Sequence, residues 1–188
     1  MKRIVEASPR FKARMAGVSF LLTMLTAAFT EIFVRMSGRL NFAVDLAAAF
    51  VEISGMVAVT ILLYAIFKPV NRNLSLLAAS LNLVALTLEA FQVLYIGLVF
   101  HGFYCLLIAY LIFSSTFLPR ILGAPMAIAG LCWLTFMPTP LASYLSPYNM
   151  ASALLAEGLV MLWLLVMGVN VSDMRRESNQ RGQSSVIM

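Results

Sequence analysis

Apolar residues run along this chain in blocks longer than one face of a soluble helix or strand requires. From Leu74 to Phe117 there is no Lys, Arg, Asp or Pro, and the ionisable side chains of note are Glu89 and His101. That block of roughly 44 residues is too long for one membrane crossing, since about 20 apolar residues already span the hydrocarbon core. It is expected to fold back on itself as two helices, with the tight point near Tyr95-Ile96-Gly97. Polar interruptions divide the remainder. Helix one is expected over Met15–Val34 and helix two over Leu46–Phe67, separated by the short charge-balanced stretch from Arg35 to Asp45. Lys68-Pro69 ends helix two, because proline cannot continue the hydrogen-bond ladder and pushes the residue before it out of helical geometry. After Leu118-Pro119-Arg120, helix five starts near Ile121 with Pro125 in its first turn and stops before Pro138. A three-proline loop, 138–147, leads to helix six over Asn149–Val169. The pattern predicts an all-α polytopic membrane protein, six transmembrane helices in an up-down bundle. It divides into a basic segment (1–14), a six-helix domain (15–169) and a polar tail (170–188) expected to be disordered or to lie on headgroups.

Composition removes the soluble alternative. The chain is 62% apolar and 11% charged, with a mean hydropathy of +0.93, whereas soluble domains sit near ~45–50% apolar and ~25% charged. The formal net charge of +5 does not point to nucleic acid, because the cations sit at the ends of apolar blocks and form no patch. With six crossings, eleven of the 13 Lys and Arg residues fall on one side and only Arg35 and Arg39 on the other. The positive-inside rule therefore puts both termini in the cytoplasm. The basic start (Lys2, Arg3, Arg10, Lys12, Arg14) followed by an apolar run could be read as a secretory signal. The run passes Ala27-Ala28 into Phe29, Ile32 and Phe33 without a small-x-small cleavage site, so a retained first helix is expected. Trp133, Tyr144 and Tyr148 near the outer ends of helices five and six read as an interfacial aromatic belt.

Three stretches, Leu-Leu-Tyr-Ala-Ile-Phe-Lys-Pro-Val-Asn-Arg-Asn-Leu-Ser-Leu-Leu-Ala-Ala (62–79), Phe-Leu-Pro-Arg-Ile-Leu-Gly (117–123) and Trp-Leu-Leu-Val-Met-Gly-Val-Asn-Val (163–171), resemble in order and spacing a bacterial family of multi-pass membrane proteins known as a domain of unknown function. The resemblance implies a multi-pass topology and a bacterial cytoplasmic (inner) membrane location. Typical members carry additional residues between helices three and four, a segment nearly absent here.

Four carboxylates fall inside apolar segments: Glu31, Glu52, Glu89 and Glu157. The roughly eleven Leu, Ile, Val and Phe residues of helix two contribute about −3 to −6 kcal/mol on the insertion scale. One central acid costs about +2.5 to +3.5, so insertion wins, but each acid needs a partner or a proton. At ~1.5 Å per residue, Glu31 lies ~5 Å from the outer end of its helix, Glu52 and Glu89 ~10 Å and Glu157 ~12 Å. His101 follows the hairpin tip about as far as Glu89 precedes it, so the two can face each other. Ser75, Asn82, Glu89 and Gln92 share one face of helix three. Together Glu52, Asn82, Glu89, Gln92, His101 and Glu157 form a candidate outward-facing polar pocket. A structural reading stands beside each. Glu31 and Arg35 form an i, i+4 interfacial pair. Glu52 and Glu157 can act as protonated hydrogen-bond partners between helices, and Glu89 with His101 is either a satisfied pair or a titrating one.

Enzymatic signatures are missing. A single histidine supplies no di-histidine metal site or haem pair, and neither a phosphate-binding glycine loop nor a Gly-x-Ser-x-Gly elbow occurs. Cys105 and Cys132 lie in separate apolar blocks and make neither a disulfide framework nor a metal site. The twelve methionines form no Met-x-x-Met loop cluster of the kind copper would need. No catalytic residue, metal or cofactor is expected. The leading expectation is a non-enzymatic sensor, accessory or partner-binding module, in contact with the bilayer and with a membrane-protein partner or a second copy. A proton- or cation-coupled permease using the acids, or a binder of a lipophilic ligand in the same pocket, are the alternatives.

Overall fold

The computed structural model describes residues 8–30, 42–91, 93–137, 139–174 and 176, and every regular element among them is helical. The elements are α1 (Pro9–Phe29), α2 (Phe42–Phe67), α3 (Arg72–Ala90), α4 (Leu94–Ser114), a 3-10 turn (Arg120–Leu122), α5 (Gly123–Leu134), α6 (Thr139–Leu145) and α7 (Tyr148–Val166). The Glu31–Arg35 pair, Gln92, residues 1–7 and the tail beyond 176 lie outside the described residues.

Local sequence explains the boundaries. Ser8 caps α1, its hydroxyl oxygen accepting from Phe11 N at 3.2 Å, and Pro9 follows at a position where its missing N–H costs nothing. That cap starts α1 before Met15. Helix α2 ends at Phe67, where Lys68-Pro69 predicts. Asn71 then caps α3, its Oδ1 accepting from the backbone of Asn73 and Leu74, each at 3.1 Å. The hairpin closes earlier than Tyr95-Ile96-Gly97, α3 ending at Ala90 and α4 starting at Leu94. Gly97 serves a different purpose: a Cβ there would stand 3.1 Å from Ala85 O, so its bare backbone is what lets α4 lie close against α3. The three-proline segment carries the short helix α6, which accepts Pro140 in its first turn, where no donor is needed. Beyond α7, Gly168 takes the left-handed φ of 70° common just past a helix end. The chain then folds back, Asn170 N donating to Phe117 O at 3.1 Å.

Four helices are long and apolar enough to cross a membrane: Leu46–Phe67, Arg72–Ala90, Tyr95–Ser114 and Tyr148–Val166. The other two expected crossings fall short among the described residues. The first turns of α1 carry Arg10, Lys12 and Arg14, and the apolar stretch Arg120–Leu134 is shorter than 18 residues. The packing is nonetheless a closed circuit of six helices, with α1 against α2 and α7, α3 against α2 and α4, and α5 against α4 and α7. Phe67, Leu63, Ile108, Ile112, Met126 and Leu164 fill its interior. Phe50, Ile61, Leu76, Leu131, Leu155 and Leu162 are exposed on its outside. One end gathers the start of α1 and the ends of α2, α4 and α7. Phe67 and Phe117 have ring centroids 6.0 Å apart, Asn170 reaches Phe117, and Arg10 lies against Gly168. Lys68, in the turn after α2, Arg72, at the start of α3, and Arg120, in the 3-10 turn, lie at this same end.

Candidate functional site

Five of the six ring helices send a polar side chain inward, and these side chains meet. Helix α7 buries one stripe, Ala153, Ala156, Glu157, Val160 and Leu164, so Glu157 occupies a core position. Helix α3 likewise buries Ser75, Ala78, Asn82 and Ala85. The face of α4 that carries His101 also carries Tyr104, Cys105 and Ile108, all buried. Helices α4 and α5 approach closely at a pair of glycines: a Cβ on Gly130 would stand 2.9 Å from Gly102 O, and one on Gly102 would stand 3.0 Å from Gly130 O. Small residues at crossings of this kind let membrane helices pack backbone to backbone. This crossing brings Trp133 edge-on to His101, with ring centroids 5.8 Å apart.

The resulting chain of contacts runs across the bundle. Thr60 on α2 donates its hydroxyl to Met56 O at 2.7 Å. Asn82 Nδ2 donates to Thr60 Oγ1 at 2.6 Å, and Asn82 Oδ1 lies 2.7 Å from His101 Nδ1. His101 Nε2 lies 3.3 Å from Glu157 Oε1. The same oxygen accepts the indole N–H of Trp133 and the Cys105 thiol, whose sulfur is 3.7 Å away. Asn82 is fully buried and Glu157 is 3% exposed.

The polarity of this chain follows from its far end. A backbone carbonyl only accepts, so the one hydroxyl proton of Thr60 is committed to Met56 O. Thr60 must then accept from Asn82, which turns the Asn82 amide nitrogen toward it and leaves the amide oxygen facing the histidine. An amide oxygen has no proton to give. His101 Nδ1 therefore carries a proton, and Nε2 is the nitrogen turned toward Glu157 and Cys105. Between Nε2 and the carboxylate one proton suffices, held by either partner, and the pair is neutral overall. Burying it there avoids the several kcal/mol that an unpaired charge costs in hydrocarbon.

Of the residues expected to form an outward pocket, the structure brings Asn82, His101 and Glu157 together. Glu89, expected opposite His101, is exposed near the end of α3 and within electrostatic reach of the imidazole. Both ring nitrogens of His101 are engaged elsewhere. Glu52 is half-buried on α2, eight residues or about 12 Å along the helix from Thr60. Trp133 is not an interfacial belt residue but is 4% exposed inside the ring, whereas Tyr144 and Tyr148 are 85% and 77% exposed. Thr60, Cys105 and Trp133 join the cluster without having been singled out for it. The available hint was the i, i+4 spacing of His101 and Cys105, which puts both on one face of a helix. His101, Cys105 and Glu157 each offer a ligand atom within 4.8 Å of the others.

A second feature lies at the basic end, a cleft of about 440 Å³ lined by Arg10, Phe117, Trp163, Met167, Asn170 and Asp173 among others.

Residues 83–168 match the family model of a domain of unknown function, DUF4386. The matched stretch contains His101, Cys105, Trp133 and Glu157 and begins one residue after Asn82. An uncharacterized protein of Archaeoglobus fulgidus is 26% identical in an alignment of 129 residues that covers 62% of this chain and 79% of that protein. No solved structure matches the chain.

Proposed function

We propose that this chain is a non-enzymatic membrane module, a sensor, accessory or partner-binding protein that crosses the cytoplasmic membrane six times with both termini inside. The observation that carries this reading is how the interior polar groups are used. Thr60, Asn82, His101, Cys105, Trp133 and Glu157 satisfy one another across five helices. Glu89 and Glu52 stand apart from that cluster, so the acids do not converge as a permease of this type would require. A saturated polar cluster ties helices together; an ion path needs polar groups that exchange partners with water or cargo. For the same reason an enzyme acting through these acids is disfavoured.

Two further observations support six crossings. The helices α1 and α5 occupy positions in the closed circuit equivalent to those of the four long apolar helices. The 15-residue stretch Arg120–Leu134 rises about 22 Å, and modest local thinning of the bilayer accommodates that length. The basic turns and the cleft beside Arg10 and Trp163 form the face that meets anionic lipid, a partner protein or a second copy.

A photocrosslinking amino acid in place of Asn73, in the first turn of α3 at the basic end, tests the reading in native membranes. A discrete adduct of defined mass, either twice the chain or the chain plus one partner, is expected. An uncrosslinked monomer whose liposomes show an ion flux abolished by Glu89→Gln would contradict it and favour the permease.

A further inference from the structure

We infer that His101, Cys105 and Glu157 form a binding site for a single divalent transition-metal ion of the zinc type. The inference concerns a ligand for the buried cluster and does not depend on whether the protein docks a partner.

Three independent features of the cluster support this. The first is spacing. Zinc bonds of about 2.0–2.1 Å to nitrogen and oxygen and about 2.3 Å to sulfur, set at tetrahedral angles, place N and O about 3.3 Å apart and S and O about 3.6 Å apart. The corresponding separations are 3.3 Å for His101 Nε2 to Glu157 Oε1 and 3.7 Å for Cys105 Sγ to the same oxygen, and all three ligand atoms lie within 4.8 Å of one another. Two of the three separations already match, and the third, from His101 to Cys105, lies within 4.8 Å and closes by side-chain adjustment on one face of α4.

The second feature is the shell behind the ligands. A metal-bound histidine usually donates its other ring N–H to an oxygen that sets the tautomer and aims the lone pair. The Met56–Thr60–Asn82 chain does this for His101, presenting Nδ1–H to Asn82 Oδ1 and turning Nε2 toward the other two ligands. Trp133 N–H on Glu157 orients the carboxylate in the same way.

The third is charge and an unused group. A divalent ion with one thiolate, one carboxylate and a neutral imidazole is electrically neutral, the condition a site in hydrocarbon needs. Loading displaces the thiol proton of Cys105 and the single proton between His101 and Glu157. Two protons therefore leave for each ion bound, and the net charge of the site stays at zero. Tyr104, one residue from Cys105, is 2% exposed, and its hydroxyl has no hydrogen-bond partner among the described residues. Its ring centroid lies 5.5 Å from that of His101, and the hydroxyl is in electrostatic range of Cys105 and Glu157. Three protein ligands leave a fourth position open, and the buried Tyr104 hydroxyl beside His101 is a polar group unused among the described residues. The thiolate excludes Mg²⁺ and Ca²⁺, which take oxygen ligands.

The test uses the full chain without a polyhistidine tag, in nanodiscs, titrated with Co²⁺ and then displaced by Zn²⁺. One Co²⁺ per chain is expected, with a thiolate-to-cobalt charge-transfer band. Titration in buffers of different ionisation enthalpy should show two protons released per ion. Cys105→Ser removes the band, Glu157→Gln weakens binding at least about tenfold, Asn82→Ala weakens it about 10–100-fold, and Cys132→Ser changes nothing. Should the cluster variants fold poorly, the chain carrying only Cys132→Ser, which lies outside the cluster, answers alone: Cys105 is then its one thiol, and the cobalt band and the two released protons must persist. Sub-stoichiometric binding, a cobalt spectrum without the sulfur band, or loading without proton release would overturn the site. Each of those results leaves the crosslinking test of the basic face intact.

Discussion

Replacing Asn82 with leucine is the most informative single perturbation of the cluster. Leucine keeps the same branched, four-heavy-atom shape and removes both polar atoms, and its bulkier methyl groups add some overpacking to the loss of polarity. Asn82 is fully buried and makes two short interhelical contacts, 2.6 Å to Thr60 and 2.7 Å to His101. The two losses are unequal. Thr60 gives up an accepted bond but keeps its donation to Met56 O. His101 keeps a proton on Nδ1 with no acceptor, and a stranded buried donor costs about 1–3 kcal/mol. Interhelical hydrogen bonds measured in membranes average nearer 0.6 kcal/mol, with a maximum around 1.7. A loss of about 1.5–3 kcal/mol is therefore expected for Asn82→Leu, most of it through His101. Reversible unfolding in mixed micelles, or steric trapping in bilayers, reads this directly. A double-mutant cycle isolates the coupling: in a His101→Phe background no donor is stranded, so Asn82→Leu should cost at least about 1 kcal/mol less. If the two substitutions add to within about 0.5 kcal/mol, the Asn82–His101 contact contributes nothing and the polarity assigned to the chain is wrong.

Other consequences can be checked with the same assay. A methyl on Gly130 would meet the α4 backbone at Gly102 O, 2.9 Å away, so Gly130→Ala should destabilise by about 1–3 kcal/mol. Gly158→Ala meets nothing within 4 Å and should be neutral or stabilising by up to about 1 kcal/mol. Trp133→Phe keeps an aromatic side chain but loses the indole N–H on Glu157 and part of the buried indole volume, at a cost of at least about 1–3 kcal/mol. Tyr104→Phe removes a hydroxyl that has no partner among the described residues and should leave the metal-free protein as stable or more stable. Cysteines placed at Asn73 and Tyr144 should label from opposite sides of the membrane with an impermeant reagent, and labelling of both from one side would refute the six-crossing topology.

Much of this organisation is legible in the sequence because bilayer thickness is a strict ruler. No single helix absorbs the block from Leu74 to Phe117, and Lys68-Pro69 stops α2 wherever the rest of the bundle lies. The hairpin turn was displaced because Gly97 has two uses, turn former and close-packing surface, and only tertiary contact selects the second. Neither depth nor rotation in the hairpin was readable once the turn moved. Glu89 ends up one residue from the end of α3 while His101 lies seven residues past the start of α4, and His101 faces Glu157 on α7. Which helix closes the circuit opposite α4 depends on packing between segments more than 50 residues apart in the chain. Thr60, Cys105 and Trp133 stayed unmarked because a lone hydroxyl, thiol or indole in an apolar run carries no periodic signal. Trp133 also matched the interfacial pattern on position alone.

The central claim is that the polarity of the cluster runs from Glu157 through His101 and Asn82 to Met56 O, with His101 protonated on Nδ1. This chain has one histidine, so ¹⁵N labelling of that residue type reports a single imidazole without assignment. In the metal-free protein in bilayers, the ¹⁵N spectrum should show a protonated Nδ1 whose resonance moves on Asn82→Leu. A neutral imidazole protonated on Nε2 alone, unaffected by that substitution, would contradict the account.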